Sequence, residues 1–186
     1  HPRALFSYGL GGGSGYCIIS ECSFTYGEHG FRSGHDAENT NKDDNMFIYC
    51  TFRQNSEAGF STVSSQNINH AFYFCHWESL GTGASAIRLD GGGGVWVHAG
   101  VCALVPRFLE ITNVDNGFAK NNGHITIDGL KVDSTQTERI QLLHMVGGVG
   151  GQDKQGRIEF RDINLGSGMT DPSSLGPTFN VAGSMD

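Results

Sequence analysis

An eight-residue pattern that recurs six times constrains this chain more tightly than any other feature of its sequence. The copies are 17–24 (CIISECSF), 45–52 (NMFIYCTF), 70–77 (HAFYFCHW), 97–104 (VHAGVCAL), 125–132 (ITIDGLKV) and 158–165 (IEFRDINL). Small or apolar residues occupy the first, third, sixth and eighth positions as a rule. The sixth positions fall at 22, 50, 75, 102, 130 and 163, so successive copies are 28, 25, 27, 28 and 33 residues apart. Self-similarity at that period is the mark of a stacked solenoid.

Side chains alternate along a strand, so the first and third positions share one face and the sixth and eighth share one face. The odd offset between these two pairs requires a sharp two-residue corner between them. Each copy therefore reads as strand, corner, strand, with all four marked positions turned inward. A third inward segment follows each copy, usually after Gly or Ala, and is marked by Phe31, Phe60, Ile87, Ile111 and Ile140. The expected fold is all-β: a right-handed parallel β-helix of about six coils with three short strands per coil. No single coil buries enough apolar surface to offset the entropy of ordering it, so stability has to come from stacking.

Five cysteines, Cys17, Cys22, Cys50, Cys75 and Cys102, are scattered without a CxxC pair. Four of them take the sixth position, in a row expected to run Cys22, Cys50, Cys75, Cys102, Leu130, Ile163. Free cysteine is among the most buried residue types, and the row reads as small hydrophobes in a dry core. The neighbouring row, Phe24, Phe52, Trp77, Leu104, Val132 and Leu165, reads as a stack of larger core residues.

Composition agrees with a turn-rich β chain: Gly contributes 28 of 186 residues and Pro only 4. With 12 basic against 19 acidic residues and a formal charge of −7, the chain has no electrostatic footprint for nucleic acid. No apolar run approaches the length of a membrane span, and no membrane insertion is expected. The histidines form no HExxH or other ligand-spaced pair, so no metal site and no cofactor is expected. The alternative to no cofactor is calcium, for which the acidic loop holding Asp36, Glu38, Asp43 and Asp44 offers oxygens; it matches no EF-hand spacing, and the favoured reading is a solvated loop.

The order strand, two-residue corner, Cys-x-Phe strand and Gly-led strand resembles right-handed parallel β-helices of the pectate-lyase-like class, including bacteriophage tailspikes and virion fibres. The resemblance covers roughly residues 4–165. It implies a structural and glycan- or receptor-binding segment of a virion surface protein, placed on the virion or outside the cell, with a homotrimer or other virion subunits as partners. The alternative it implies is a polysaccharide lyase or glycoside hydrolase. The paired-aspartate and Gly-His-Gly motifs of polygalacturonase-like hydrolases are absent, and Gly123-His124 lacks the second glycine.

In such enzymes the cleft runs along the outer face of the Gly-led strand. Its outward residues are expected to be Arg32, Ser61, Arg88, Thr112 and Gln141 on one side of the inward row, with Glu110 and Arg139 on the other. Arginine offers a bidentate fork to sugar carboxylates or sulfates, so Arg32, Arg88, Glu110 and Arg139 are the candidate substrate-binding residues. Glu110 and Arg88 are the catalytic candidates if the chain is an enzyme. The competing explanation is that the outward residues of any solenoid are polar.

Residues 1–165 are expected to form the β-helix, as a slice of a longer solenoid entered partway through a coil near Ala4-Leu5-Phe6. Residues 166–186, rich in Gly, Ser and Pro, are expected to be a strand-poor exit segment or linker. Open strand edges invite association, which is a further reason to expect neighbouring sequence or partner chains at both ends.

Overall fold

The structure is a computed structural model. It describes residues 16–34, 44–63, 69–90, 93–112, 124–133, 140–146 and 157–165, together with the strand backbone of 4–8 and 178–182. After β1 (Ala4–Tyr8) the strands come in groups of three. These are β2 (Cys17–Ser20), β3 (Ser23–Thr25) and β4 (His29–Ser33), then β5 (Asn45–Ile48), β6 (Thr51–Arg53) and β7 (Ala58–Thr62), then β8 (His70–Tyr73), β9 (His76–Glu78) and β10 (Ser85–Leu89). The order continues with β11 (Gly94–His98), β12 (Val101–Ala103) and β13 (Arg107–Ile111), then β14 (His124–Asp128), β15 (Lys131–Asp133) and β16 (Gln141–Val146), and ends with β17 (Arg157–Arg161), β18 (Asn164–Leu165) and β19 (Thr178–Ala182).

Every third strand pairs in parallel with the next, which makes the chain an all-β parallel solenoid with three strands per coil and no helix among the described residues. Sheet A stacks β1-β4-β7-β10-β13-β16-β19, sheet B stacks β2-β5-β8-β11-β14-β17, and sheet C stacks β3-β6-β9-β12-β15-β18. The coils are not equivalent, as the repeat alone suggests they should be. The fully sealed interior extends from β4 to β15, fewer turns than the six copies of the repeat, and within it Phe31, Phe47, Phe60, Trp77, Cys102, Leu109, Ile127 and Val132 are all buried. Toward the ends the same inward rows open to solvent: Cys22 is exposed, and Ile19, Ile158 and Phe160 are only partly covered. Strand β19 lies within 166–186 and adds a seventh strand to sheet A, so that sheet does not stop at residue 165.

The corner between the two halves of the repeat is a single left-handed residue. Glu21, Tyr49, Phe74, Ala99, Gly129 and Asp162 have φ of 54°, 53°, 55°, 53°, 68° and 47°. A side chain in that region costs roughly 1–2 kcal/mol, yet five of the six are not glycine. Part of the offset is visible in the backbone: the corner amides of Glu21, Tyr49, Phe74, Ala99 and Gly129 each donate to a carbonyl of the next coil, at 2.9–3.1 Å. A second left-handed corner between sheets C and A, at Tyr26, Gln54, Ser79 and Leu104, escapes the eight-residue pattern because it lies beyond its end. Below it the buried Asn55 bridges coils. Its Nδ2 donates to Phe24 O at 3.1 Å, and its Oδ1 accepts from Gly27 N at 3.2 Å.

The fourth copy of the pattern sits two residues earlier than its composition suggests. Val95, Val97 and Cys102 pair with His70, Phe72 and Trp77, so the copy is 95–102 and Gly100 takes the place beside Cys75. Leu104, expected in the core row, is a corner residue exposed to solvent. The thiol row is therefore Cys22, Cys50 and Cys75, with Cys102 in the row of Phe24, Phe52 and Trp77. The shift makes room for the indole. Gly100 lies against the Trp77 ring, where a larger residue would collide with it.

All five cysteines are free. Cys50 Sγ points to Ile19 O at 3.4 Å and Cys75 Sγ to Phe47 O at 3.5 Å, so the thiols act as weak donors to the coil below. The hydrogen-bonded Cys50 thiol, and after it burial, pushes the Cys75 thiol up, and burial alone pushes up Cys102.

Aromatic ladders hold the first half of the core. Phe24 stacks on Phe52 at 5.1 Å, Phe52 on Trp77 at 5.8 Å, Phe47 on Phe72 at 5.0 Å and Phe31 on Phe60 at 5.8 Å. The ladders meet edge to face, as at Phe31–Phe47 (4.9 Å, 81°) and Phe60–Phe72 (5.1 Å, 77°). Such pairs add about 0.5–1.5 kcal/mol each beyond area burial. A buried polar pair, Asn45 and His70, lies in this core. His70 is fully buried beside Phe60, and Asn45 Nδ2 donates to its Nδ1 at 3.2 Å. That bond leaves the proton on Nε2, and burial pulls the pKa of His70 down to about 3.

Candidate functional site

The outer face of sheet A is the face expected to carry a cleft, and the register rearranges its residues. Phe31, Phe60, Ile87, Leu109 and Leu143 align as the inward row, so Leu109 and Leu143 stand where Ile111 and Ile140 were expected. One position on, Arg32, Ser61, Arg88, Glu110 and His144 form a single outward row. Glu110 is thus in line with Arg88 on the neighbouring strand and not on the opposite side of the row. Gln141 instead aligns with Arg107. Thr112 lies two residues past Glu110, bonded through its hydroxyl to Asp90. Arg139 falls outside the described residues, as do Asp36, Glu38 and Asp43 of the acidic loop.

Around Arg88 the face is built from charged side chains that fix one another. Its Nε lies 2.8 Å from Asp90 Oδ1 and 4.0 Å from Glu110 Oε2, and its Nη1 lies 3.9 Å from Glu57 Oε2. Glu57 in turn lies 3.4 Å from His29 Nε2. Glu110 is buried and both its oxygens are engaged: Ser85 Oγ donates to Oε2 at 2.7 Å and Arg107 Nη1 to Oε1 at 3.0 Å. Burial lowers the pKa of His29 in spite of the neighbouring Glu57, with Arg32 and Arg88 adding to the depression.

Three carboxylates on three successive coils, Glu57, Asp90 and Glu110, thereby converge on one guanidinium. Asp90 Oδ1 and Glu110 Oε2 both lie within 4.0 Å of the same nitrogen. Their separation therefore stays inside the outer limit of roughly 9.5 Å for carboxyl pairs in glycoside hydrolases. Of this cluster, composition and spacing singled out only Arg88 and Glu110. Asp90 was legible in principle, because it is two residues from Arg88 on a strand and so shares its face. Glu57 stands just before the strand, where alternation makes no statement. Among the described residues no group of three or more His, Cys, Asp or Glu is arranged to hold a metal ion.

A second outward feature has no counterpart in the sequence expectations. On sheet B, Met46, Ala71 and Trp96 are adjacent in register on β5, β8 and β11. Together with Tyr16, Asp44, Asn45 and Asn69 they line an open groove of about 390 Å³. Tyr16 is 66% exposed and Trp96 36%. Farther along the same sheet the corner residues Tyr49 and Phe74 stack at 5.0 Å in the open. Comparisons with protein-family models, with curated proteins and with solved structures find no match, so function is argued from these two faces.

Proposed function

We propose that this β-helix is a structural, glycan-binding segment of a surface fibre of the tailspike kind, right-handed and trimeric, displayed on a virion or outside a cell. The observation that supports this reading is the convergence of Glu57, Asp90 and Glu110 on Arg88 across the outer face of sheet A. Carboxylates held in place by an arginine are preorganised acceptors for sugar hydroxyls, and little entropy is lost when a ligand docks on them. Because Arg88 and Arg107 already direct donors at the chain's own carboxylates, hydroxyl-rich glycans suit this face better than the acidic ones that a bare arginine row would attract.

Titration calorimetry against a panel of neutral and acidic capsular polysaccharides and lipopolysaccharide O-chains tests the reading. Binding that drops about tenfold in Arg88→Ala or Asp90→Asn is expected. A panel without a binder, or a binder indifferent to both substitutions, overturns it. A second reading, a depolymerase, is favoured by the closeness of Asp90 and Glu110. It requires new reducing ends or unsaturated sugar products on incubation with the bound polysaccharide, lost in Glu110→Gln.

A further inference from the structure

We infer that the groove on the outer face of sheet B is a separate subsite for a neutral pyranose, with Trp96 as its stacking wall. The geometry is set by the stacking of coils. Met46, Ala71 and Trp96 occupy the same outward position on three neighbouring strands, about 4.8 Å apart. The middle one has the shortest side chain. Ala71 is therefore the floor of a depression about two strand spacings wide, with the Met46 thioether on one side and the indole on the other. The groove, about 390 Å³, is the size of a sugar ring or two rather than of a protein segment.

The rim supplies what a sugar needs beyond an apolar face. Tyr16, Asp44 and Asn69 each precede the first residue of a sheet B strand, on three successive coils, so they line one edge of the depression. Asp44 and Asn69 hold left-handed φ of 61° and 62°. Neither side chain makes a hydrogen bond or ion pair among the described residues. A carboxylate acceptor and an amide, which donates and accepts, match the hydroxyls of a sugar ring. The next residue along this edge is Gly94, which puts no side chain in front of the indole. His124, one coil further, packs against Trp96 at 6.4 Å and braces it from the far side.

The charge of the rim decides the class of sugar. Among the described residues no Lys or Arg lines the groove, Asp44 is exposed in it, and the whole chain is negative. Uronates and sulfated sugars are disfavoured there, whereas the C–H face of a neutral pyranose fits the indole and its hydroxyls fit Asp44 and Asn69. The site lies on a different sheet from Arg88 and shares no residue with that cluster, so it stands or falls independently.

Saturation-transfer NMR and tryptophan fluorescence with methyl α-mannopyranoside, methyl β-glucopyranoside, methyl β-galactopyranoside and methyl β-glucuronide test the assignment. At least one neutral glycoside is expected to receive saturation on its ring C–H protons and to perturb the Trp96 emission. Trp96→Ala, which removes the wall, and Ala71→Phe, which fills the depression from outside the core, are each expected to weaken it about tenfold. Methyl β-glucuronide is expected to bind less well than its neutral counterpart, and the response of Trp96 to the neutral glycoside is expected to persist in Arg88→Ala. The proposal is overturned if no neutral glycoside binds, if binding survives both groove substitutions, or if it is lost equally in Arg88→Ala. It is also overturned if sedimentation shows that Trp96→Ala dissociates an oligomer, since the groove would then be a contact between copies.

Discussion

Gly100 lies under the indole of Trp77: a Cβ added there would be 3.0 Å from Trp77 Cζ3 and 3.3 Å from Val97 Cγ1. The largest side chain of the core is accommodated by a missing one in the adjacent coil. Gly59 does the same from sheet A, where an added Cβ would be 2.8 Å from Trp77 Cδ1 and 2.9 Å from Ala86 O.

Substituting these glycines should therefore destabilise the solenoid by overpacking, at about 1–3 kcal/mol each. Gly59→Ala should cost more than Gly100→Ala, because its Cβ meets backbone as well as a ring. Trp77→Phe removes Cζ3 and should relieve Gly100→Ala in a double-mutant cycle read by urea midpoints. Additive effects would break the link between the two residues.

His70 makes stability depend on pH. Its folded pKa of about 3 lies below the unfolded value near 6.5, so its contribution is complete above 6.5. As pH falls below that value the unfolded chain takes up a proton that the folded one refuses. Stability should fall by up to about 1.4 kcal/mol per pH unit until pH approaches 3. His29, also depressed by burial, adds in the same direction. Val95 and Ile125 follow His70 in the same row, and His70→Val should flatten the dependence. An unchanged slope between pH 6 and 4 would contradict this.

Removing the cation at the centre of sheet A should be felt through the carboxylates it leaves behind. Arg88→Ala is expected to cost about 1–2 kcal/mol, less than for a fully buried pair because Arg88, Asp90 and Glu57 keep contact with water. The loss should shrink in a second-site Asp90→Asn background, which takes away part of the uncompensated charge. Thermal unfolding at low and high salt reads both effects.

The cysteines should sort by depth. Native protein treated with a thiol reagent should label Cys22 at once and Cys17 more slowly. Cys50, Cys75 and Cys102 should stay protected until the coils open. Mass spectrometry of the labelled peptides gives the order, and rapid native labelling of Cys75 would place it outside the sealed interior.

Much of the architecture was written in local chemistry. Alternation on either side of a phase break announces two short strands and a corner, and its recurrence at a solenoid period leaves parallel stacking as the way to bury the marked residues. That reasoning found sheets B and C and the corner at Tyr49 and Phe74, and it named the outer face of sheet A. What it misjudged was register. Between 95 and 104 two frames offset by two residues both place apolar side chains inward, and alternation cannot choose between them because the period of a strand is two. The volume of Trp77 one coil away favours the frame that sets Gly100, and not Cys102, beside Cys75 and pairs Cys102 with Trp77.

The sites divide in the same way. Arg88 and Glu110 could be assigned to one face from the sequence, because facing is a local property of a strand. That they stand side by side, with Glu57 and Asp90 joining them, is a long-range fact set by how coils of unequal length stack. The groove at Trp96 is wholly of this kind. Met46, Ala71 and Trp96 are 25 residues apart in sequence, and they become neighbours only because parallel pairing brings the same step of three successive coils together.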